Sequence, residues 1–181
     1  MRKQVFPFAP LGLAVVLALL LIQTGPTHGF VERLDPPKEV PGFDLPALDG
    51  QRYSLEEFRG RPFFLSLWAT WCAPCQQELP QFDRVRKALA ESHPDVVMMT
   101  ANIGESGARA GSWMKRHKLD LPVLLASEKF VNKFEVMVLP SILVFNRDGR
   151  LASIHRGWSQ STDLLAEVKK DLAAMDGKKA D

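Results

Sequence analysis

Cys72 and Cys75 are the chain's only cysteines. Their Cys-x-x-Cys spacing suits a dithiol that cycles to a disulfide and back. An apolar run precedes them and a stretch of helical periodicity follows, so the pair stands at a strand-to-helix junction. At a helix start, unpaired N–H groups and the helix dipole favour an anion. Such placement lowers a thiol's pKa and raises its thiolate fraction. Cys72 is therefore the candidate attacking thiol, forming a mixed disulfide with a client. Cys75, one turn further on, is the candidate that resolves it. Glu78 follows Cys75 by three residues and shares its helix face. A carboxyl there can carry the resolving thiol's proton, and partial burial would raise its pKa into the useful range. The plainer alternative for Glu78 is a solvated glutamate paired with an Arg or Lys.

The neighbouring residues divide by role. Trp71 is expected at the surface as an apolar contact for clients, whereas Trp68 belongs to the core. Ala73 and Pro74 keep the active turn stiff, and Pro74 is also a simple early-helix proline. A zinc site needs two further ligands. His28, His93, His117 and His155 are scattered along the chain, so no metal and no cofactor are expected. An incidental pair of core cysteines is the remaining alternative.

The elements that must hold this pair can be read in order. Asp49-Gly50 is a hairpin signal between Phe43–Leu45 and Arg52–Ser54. Ser54 can cap a short helical turn that Gly60 and Pro62 close. Phe63–Trp68 is a continuous apolar run broken only by Ser66, as in a strand buried on both faces. Cys72–Ala90 has helical spacing, with Leu79, Phe82, Val85 and Leu89 on one stripe and Pro80 expected to kink it. Further strands are expected at Val96–Asn102, Leu121–Leu125, Ser141–Phe145 and Leu151–His155. Further helices are expected at Arg109–His117, Glu128–Phe134 and Ser161–Met175. The result is an α/β fold with a mixed sheet flanked by helices, preceded by a hairpin extension.

A hydrophobic content of 46% over 181 residues supplies one ordinary domain with a real core. The net charge of +2, without a dense basic run, argues against a nucleic-acid partner. The N-terminus differs in kind. Met1-Arg2-Lys3 is basic, and Val5–Ile22 carries no charge, at the lower limit for a spanning helix of roughly 17–25 residues. Residues 1–24 are expected to be a signal anchor, with a cleaved signal peptide as the alternative. No cysteine follows the apolar run, which excludes a lipoprotein anchor. Residues 25–41 read as a proline-rich linker, 42–176 as the folded domain and 177–181 as a polar tail.

WATWCAPC after a strand, Glu78 and Pro80 behind it, TANIGES at Thr100–Ser106 and LPSILVFNRDGR at Leu139–Arg150 carry a resemblance. Together they are similar to the membrane-anchored, thioredoxin-like reductases of the TlpA/ResA type, over Phe43–Trp158. The resemblance implies a thioredoxin-like fold placed in the periplasm or otherwise outside the cytoplasm. It implies client proteins with reducible disulfides, such as apocytochromes c or copper-site proteins, and an integral-membrane thiol carrier as electron donor. It further implies a cis bond at Pro140 lying against the dithiol, with the backbone edge of Leu139 open to a client strand. Ordinary thioredoxins bury an acid in the first central strand where this chain has Ser66; Glu78 is the natural substitute. A second departure is Ser141, where the family usually has Thr.

The expected function is a membrane-tethered thiol–disulfide oxidoreductase acting mainly as a reductase. One alternative is a thiol peroxidase of the wider redoxin superfamily, although the Pro-x-x-x-Thr run of that group is absent. Others are an oxidant or isomerase, and a non-catalytic copper-handling module.

Overall fold

A computed structural model describes residues 29–177. The expected anchor or signal segment, 1–24, lies outside the described residues. Among the described residues no helix is long and apolar enough to cross a membrane.

The chain builds a six-stranded mixed sheet. In chain order its elements are β1 (Phe30–Lys38), β2 (Asp44–Pro46), β3 (Arg52–Ser54), a 3₁₀ turn (Leu55–Phe58), β4 (Phe63–Trp68), α1 (Ala73–Leu89) and β5 (Val97–Ile103). They continue with α2 (Gly107–Arg116), β6 (Val123–Ala126), α3 (Glu128–Lys133), β7 (Ser141–Phe145), β8 (Leu151–Arg156) and α4 (Leu164–Met175). The sheet order is β1-β8-β7-β4-β5-β6. β4, β5 and β6 run parallel, while β7 is antiparallel to both β4 and β8.

β4 is central and every residue of it is buried. Its alternation divides the core. Phe64 and Trp68 face α1, α2 and α4, joining Leu79, Phe82, Trp113, Val168 and Leu172. Phe63, Leu65 and Leu67 face the opposite layer, joining Phe43, Phe58, Phe130, Phe134 and Phe145. Phe63 stacks on Phe58 with ring centroids 4.1 Å apart. Two apolar faces covered by separate layers explain why β4 reads as an almost unbroken hydrophobic run.

β2 and β3 pair as the expected hairpin. The turn after it is held by Glu57, whose carboxylate accepts from both the N–H and the hydroxyl of Ser54, each at 2.8 Å. α1 runs from Ala73 through Pro80 to Leu89.

The stretch 25–41 differs from the linker expected of it, because residues 30–38 form β1. β1 pairs antiparallel with β8, from Phe30 opposite Arg156 to Arg33 opposite Ser153, and its register shifts before Lys38 meets Leu151. β1 is an edge strand. Pro36 and Pro37 are tolerated there because an edge strand needs ladder donors on one side only, and they fall within the register shift. The Asp35–Pro36 peptide bond is cis.

Candidate active site

Cys72 caps the N-terminus of α1. It is joined to Cys75 by a disulfide with S–S 2.07 Å. The N–H of Cys75, one of the donors a helix start leaves unpaired, points at Cys72 Sγ from 3.3 Å. The two sulfurs are not equivalent: Cys72 is 5% exposed and Cys75 is fully buried. A nucleophile from outside can therefore reach Cys72 but not Cys75. The cap position also gives a Cys72 thiolate the helix N–H and the positive end of the dipole.

The loop before the disulfide is fixed by a residue the motif does not contain. Glu105 accepts from the Thr70 N–H at 2.7 Å, the Thr70 hydroxyl at 2.6 Å and Asn102 Nδ2 at 2.8 Å. Arg109 Nε lies 2.7 Å from Oε1, the oxygen that accepts from the Thr70 hydroxyl. Burial pushes the Glu105 carboxyl up. The hydrogen bonds from Thr70 and Asn102, with the charge of Arg109, outweigh that and hold it below the ordinary carboxylate range. Gly104, at φ +72°, makes the turn that brings Glu105 back over Thr70. Gln76 closes the other side by donating to the Thr70 carbonyl at 2.9 Å.

Beneath the disulfide, Glu78 is 1% exposed. It is not the solvated glutamate of the plainer alternative. Its Oε2 accepts from the Ser66 hydroxyl at 3.0 Å. Its Oε1 is buried without a hydrogen-bond partner among the described residues. Burial raises its pKa to about 8, against the opposing effect of the Ser66 hydrogen bond. Glu78 thus hangs from α1 over Ser66 of β4.

Outside the disulfide lies a groove of about 620 Å³, lined by Trp71, Cys72, Ala73, Pro74 and Leu139 together with Val136, Met137 and Val138. Trp71 is 67% exposed and Met137 84%, so the rim is apolar and open. The Leu139–Pro140 bond is cis, as the resemblance implied. Neither the N–H nor the C=O of Leu139 has a backbone partner among the described residues. Pro140 faces inward instead, lining a small cavity with Glu78 and Ile142. The structure thus gathers Trp71, Ala73, Pro74 and Leu139 on the groove side and Glu78 and Pro140 on the inner side. Sequence reasoning missed Met137 and Val138, whose exposure no local pattern marks, and the clamp role of Glu105. Among the described residues no cluster of three or more His, Cys, Asp or Glu side chains could hold a metal ion.

A structure of a thiol:disulfide interchange protein DsbE from Chlorobium tepidum superposes with TM-score 0.68 at 18% identity, covering 80% of this chain and 97% of that one. That likeness establishes the fold as thioredoxin-like. The pneumococcal exposed lipoprotein thioredoxin Etrx1 of Streptococcus pneumoniae matches at TM-score 0.59 and 29% identity, over 72% of this chain and 99% of that one. The thiol-disulfide oxidoreductase ResA of Bacillus subtilis is 28% identical over 160 residues, covering 87% of this chain and 88% of ResA. With its only two cysteines disulfide-bonded at the head of α1, the protein is an enzyme of the same class, a thiol–disulfide oxidoreductase. The chain belongs to the AhpC/TSA family, which it matches over residues 36–154.

Proposed function

We propose that the protein is a reductase of client protein disulfides, tethered to the membrane by its N-terminal segment and working outside the cytoplasm. The observation that carries this reading is the buried Glu78 beneath a disulfide of which only Cys72 can be reached from outside. In the reduced protein the Cys72 thiolate attacks a client disulfide. The Cys72–client bond forms as the client's own S–S bond breaks, and one client sulfur leaves as a thiolate that takes a proton from solvent. In molecules whose Glu78 is ionised, Cys75 then gives its proton to that carboxylate and attacks Cys72. The Cys72–client bond breaks as the Cys72–Cys75 disulfide forms, and the second client sulfur leaves as a thiolate that takes a proton from solvent. A dithiol donor reverses the sequence, and the protonated Glu78 returns a proton to Cys75 as it departs. At neutral pH a carboxyl with a pKa of about 8 is mostly protonated, so the oxidised protein is loaded for that return step.

The groove offers a client two kinds of contact. Trp71, Met137 and Val138 present apolar surface, and the unpaired backbone edge of Leu139 can take an extended client segment as an added strand. Ala73 and Pro74 form the wall beside the reacting sulfur. Clients with haem-binding or copper-site cysteines suit this chemistry, with an integral-membrane thiol carrier as donor. An oxidising compartment drives dithiols to disulfides, so a reductase there needs that supply.

The test is a Cys75→Ser variant of the full chain in its host, with trapped mixed disulfides identified. Apocytochrome c or copper-site proteins bound through Cys72 support the reading; only thiol-independent partners oppose it. Membership of the AhpC/TSA family favours one second reading, a thiol peroxidase. Peroxide consumption dependent on Cys72, without reduction of protein disulfides, would select it.

A further inference from the structure

Behind the disulfide one row of the sheet carries two polar side chains, Ser66 and His155, that take no part in the steps above. Ser66 on β4 is paired with Ile142 on β7, Ile142 with His155 on β8, and His155 with Val31 on β1. Paired residues share a face of the sheet, here the face that α1 and α4 cover. Glu78 of α1 sits over Ser66, and Asp171 of α4 sits over His155. Two strand spacings, roughly 10 Å, separate Ser66 from His155. Between them is a cavity of about 20 Å³ lined by Glu78, His155, Pro140, Ile142, Trp158 and Thr162, among others. That is room for one water.

The cavity is supplied with the partners a water needs. Glu78 Oε1 and Trp158 Nε1 are both buried without a hydrogen-bond partner among the described residues, and both residues line it. A water held between them would accept from the indole N–H and donate to the carboxyl oxygen. His155 is the third polar side chain on the wall that can take part. Its Nε2 donates to Asp171 Oδ2 at 2.6 Å, which leaves Nδ1 as the ring's acceptor. Asp171 also accepts from Ser153 Oγ and from Arg33 Nε, each at 3.0 Å, and Arg33 pairs further with Glu167. The charged groups around the route are therefore Glu78 from α1, His155 from β8, Asp171 and Glu167 from α4, and Arg33 from β1.

We propose that a single water in this cavity joins Glu78 Oε1 to His155, and that the His155–Asp171 pair takes up and returns the proton of Glu78. The inference rests on the reading of Glu78 as the proton carrier. In the forward step the Glu78 carboxyl gives its proton to the water, and the water passes one of its own to His155 Nδ1. The products are a carboxylate, the water restored and an imidazolium held against Asp171. The reverse step reloads Glu78. His155 and Trp158 are positioning residues, since both act through Glu78. The inner ends of β1 and β8 close the site: a Cβ on Gly29 would lie 2.8 Å from the Gly157 carbonyl, and both glycines line the cavity.

The test uses the full chain and follows the protonated carboxyl of Glu78 by infrared spectroscopy across pH, the band being assigned by its loss in Glu78→Gln. Trp158→Phe and His155→Gln are each expected to raise the Glu78 midpoint by about one unit, a tenfold smaller ionised fraction at neutral pH. Both are expected to slow disulfide reduction in the parent and to change nothing in the Glu78→Gln background. An unmoved midpoint in Trp158→Phe, which removes the indole donor, overturns the inference whether or not the His155 variant folds. If Glu78→Gln itself turns over like the parent, it is the proton-carrier reading that fails.

Discussion

Glu78 makes the stability of the protein depend on pH in a way that one substitution isolates. Its pKa rises from an ordinary 4.5 to about 8 in the folded state. Between those values the folded chain holds a proton that the unfolded chain has released. Stability therefore falls as pH rises through this window, by about 1.4 kcal/mol per unit. It is fully present below the ordinary value and is lost by the time pH passes the folded one. Across the gap from 4.5 to about 8 the loss is on the order of 5 kcal/mol, a large share of a typical 5–15 kcal/mol. Glu78→Gln keeps the shape and removes the titration. Urea unfolding of the oxidised protein and of the variant, at matched pH values from acid to mildly alkaline, measures the difference directly. The variant is expected to gain on the parent steadily with pH and then to run parallel to it above the Glu78 midpoint. Two curves parallel throughout would refute the burial argument, because every other titrating group is common to both proteins.

Ser66→Ala removes the hydroxyl that donates to Glu78 Oε2. A hydrogen bond to a charged group is worth about 1.5–3 kcal/mol, so the Glu78 midpoint should move up by about one to two units, read by the same titration; a downward shift would contradict the assignment. Glu105→Ala leaves the Thr70 N–H and Asn102 without their acceptor. It should cost about 2 kcal/mol in urea unfolding and slow the reaction of Cys72 with a disulfide probe. Because the folded pKa of Glu105 is lowered, the parent's advantage should be present at neutral pH and shrink as pH falls through the acid range.

Local signals made the reactive pair and its support legible. The cysteine spacing, the apolar run of β4 and the stripe on α1 each depend on residues close in sequence, and each led to an element the structure contains. Ser66 was legible as an exception within β4, and its partner Glu78 as the acid nearest the cysteines. β1 was not legible, because Pro36 and Pro37 argue against a strand unless an edge position is known. Its pairing with β8 joins distant parts of the chain. The Glu105 clamp was hidden for the same reason: Thr70 and Glu105 meet only because β4 and β5 lie side by side. Asp171 did leave a trace. It falls on the buried stripe of α4 with Leu164, Val168 and Leu172, where a charged residue calls for a buried partner. Nothing in sequence names His155 as that partner.

The unequal reach of the two sulfurs bears most directly on the chemistry. The reduced full-length protein, treated at neutral pH with less than one equivalent of iodoacetamide and mapped by mass spectrometry, reports it. The expected result is label on Cys72, with Cys75 unmodified. Label divided between the two cysteines, or neither reacting faster than a free thiol, would contradict the assignment of Cys72 as the attacking sulfur.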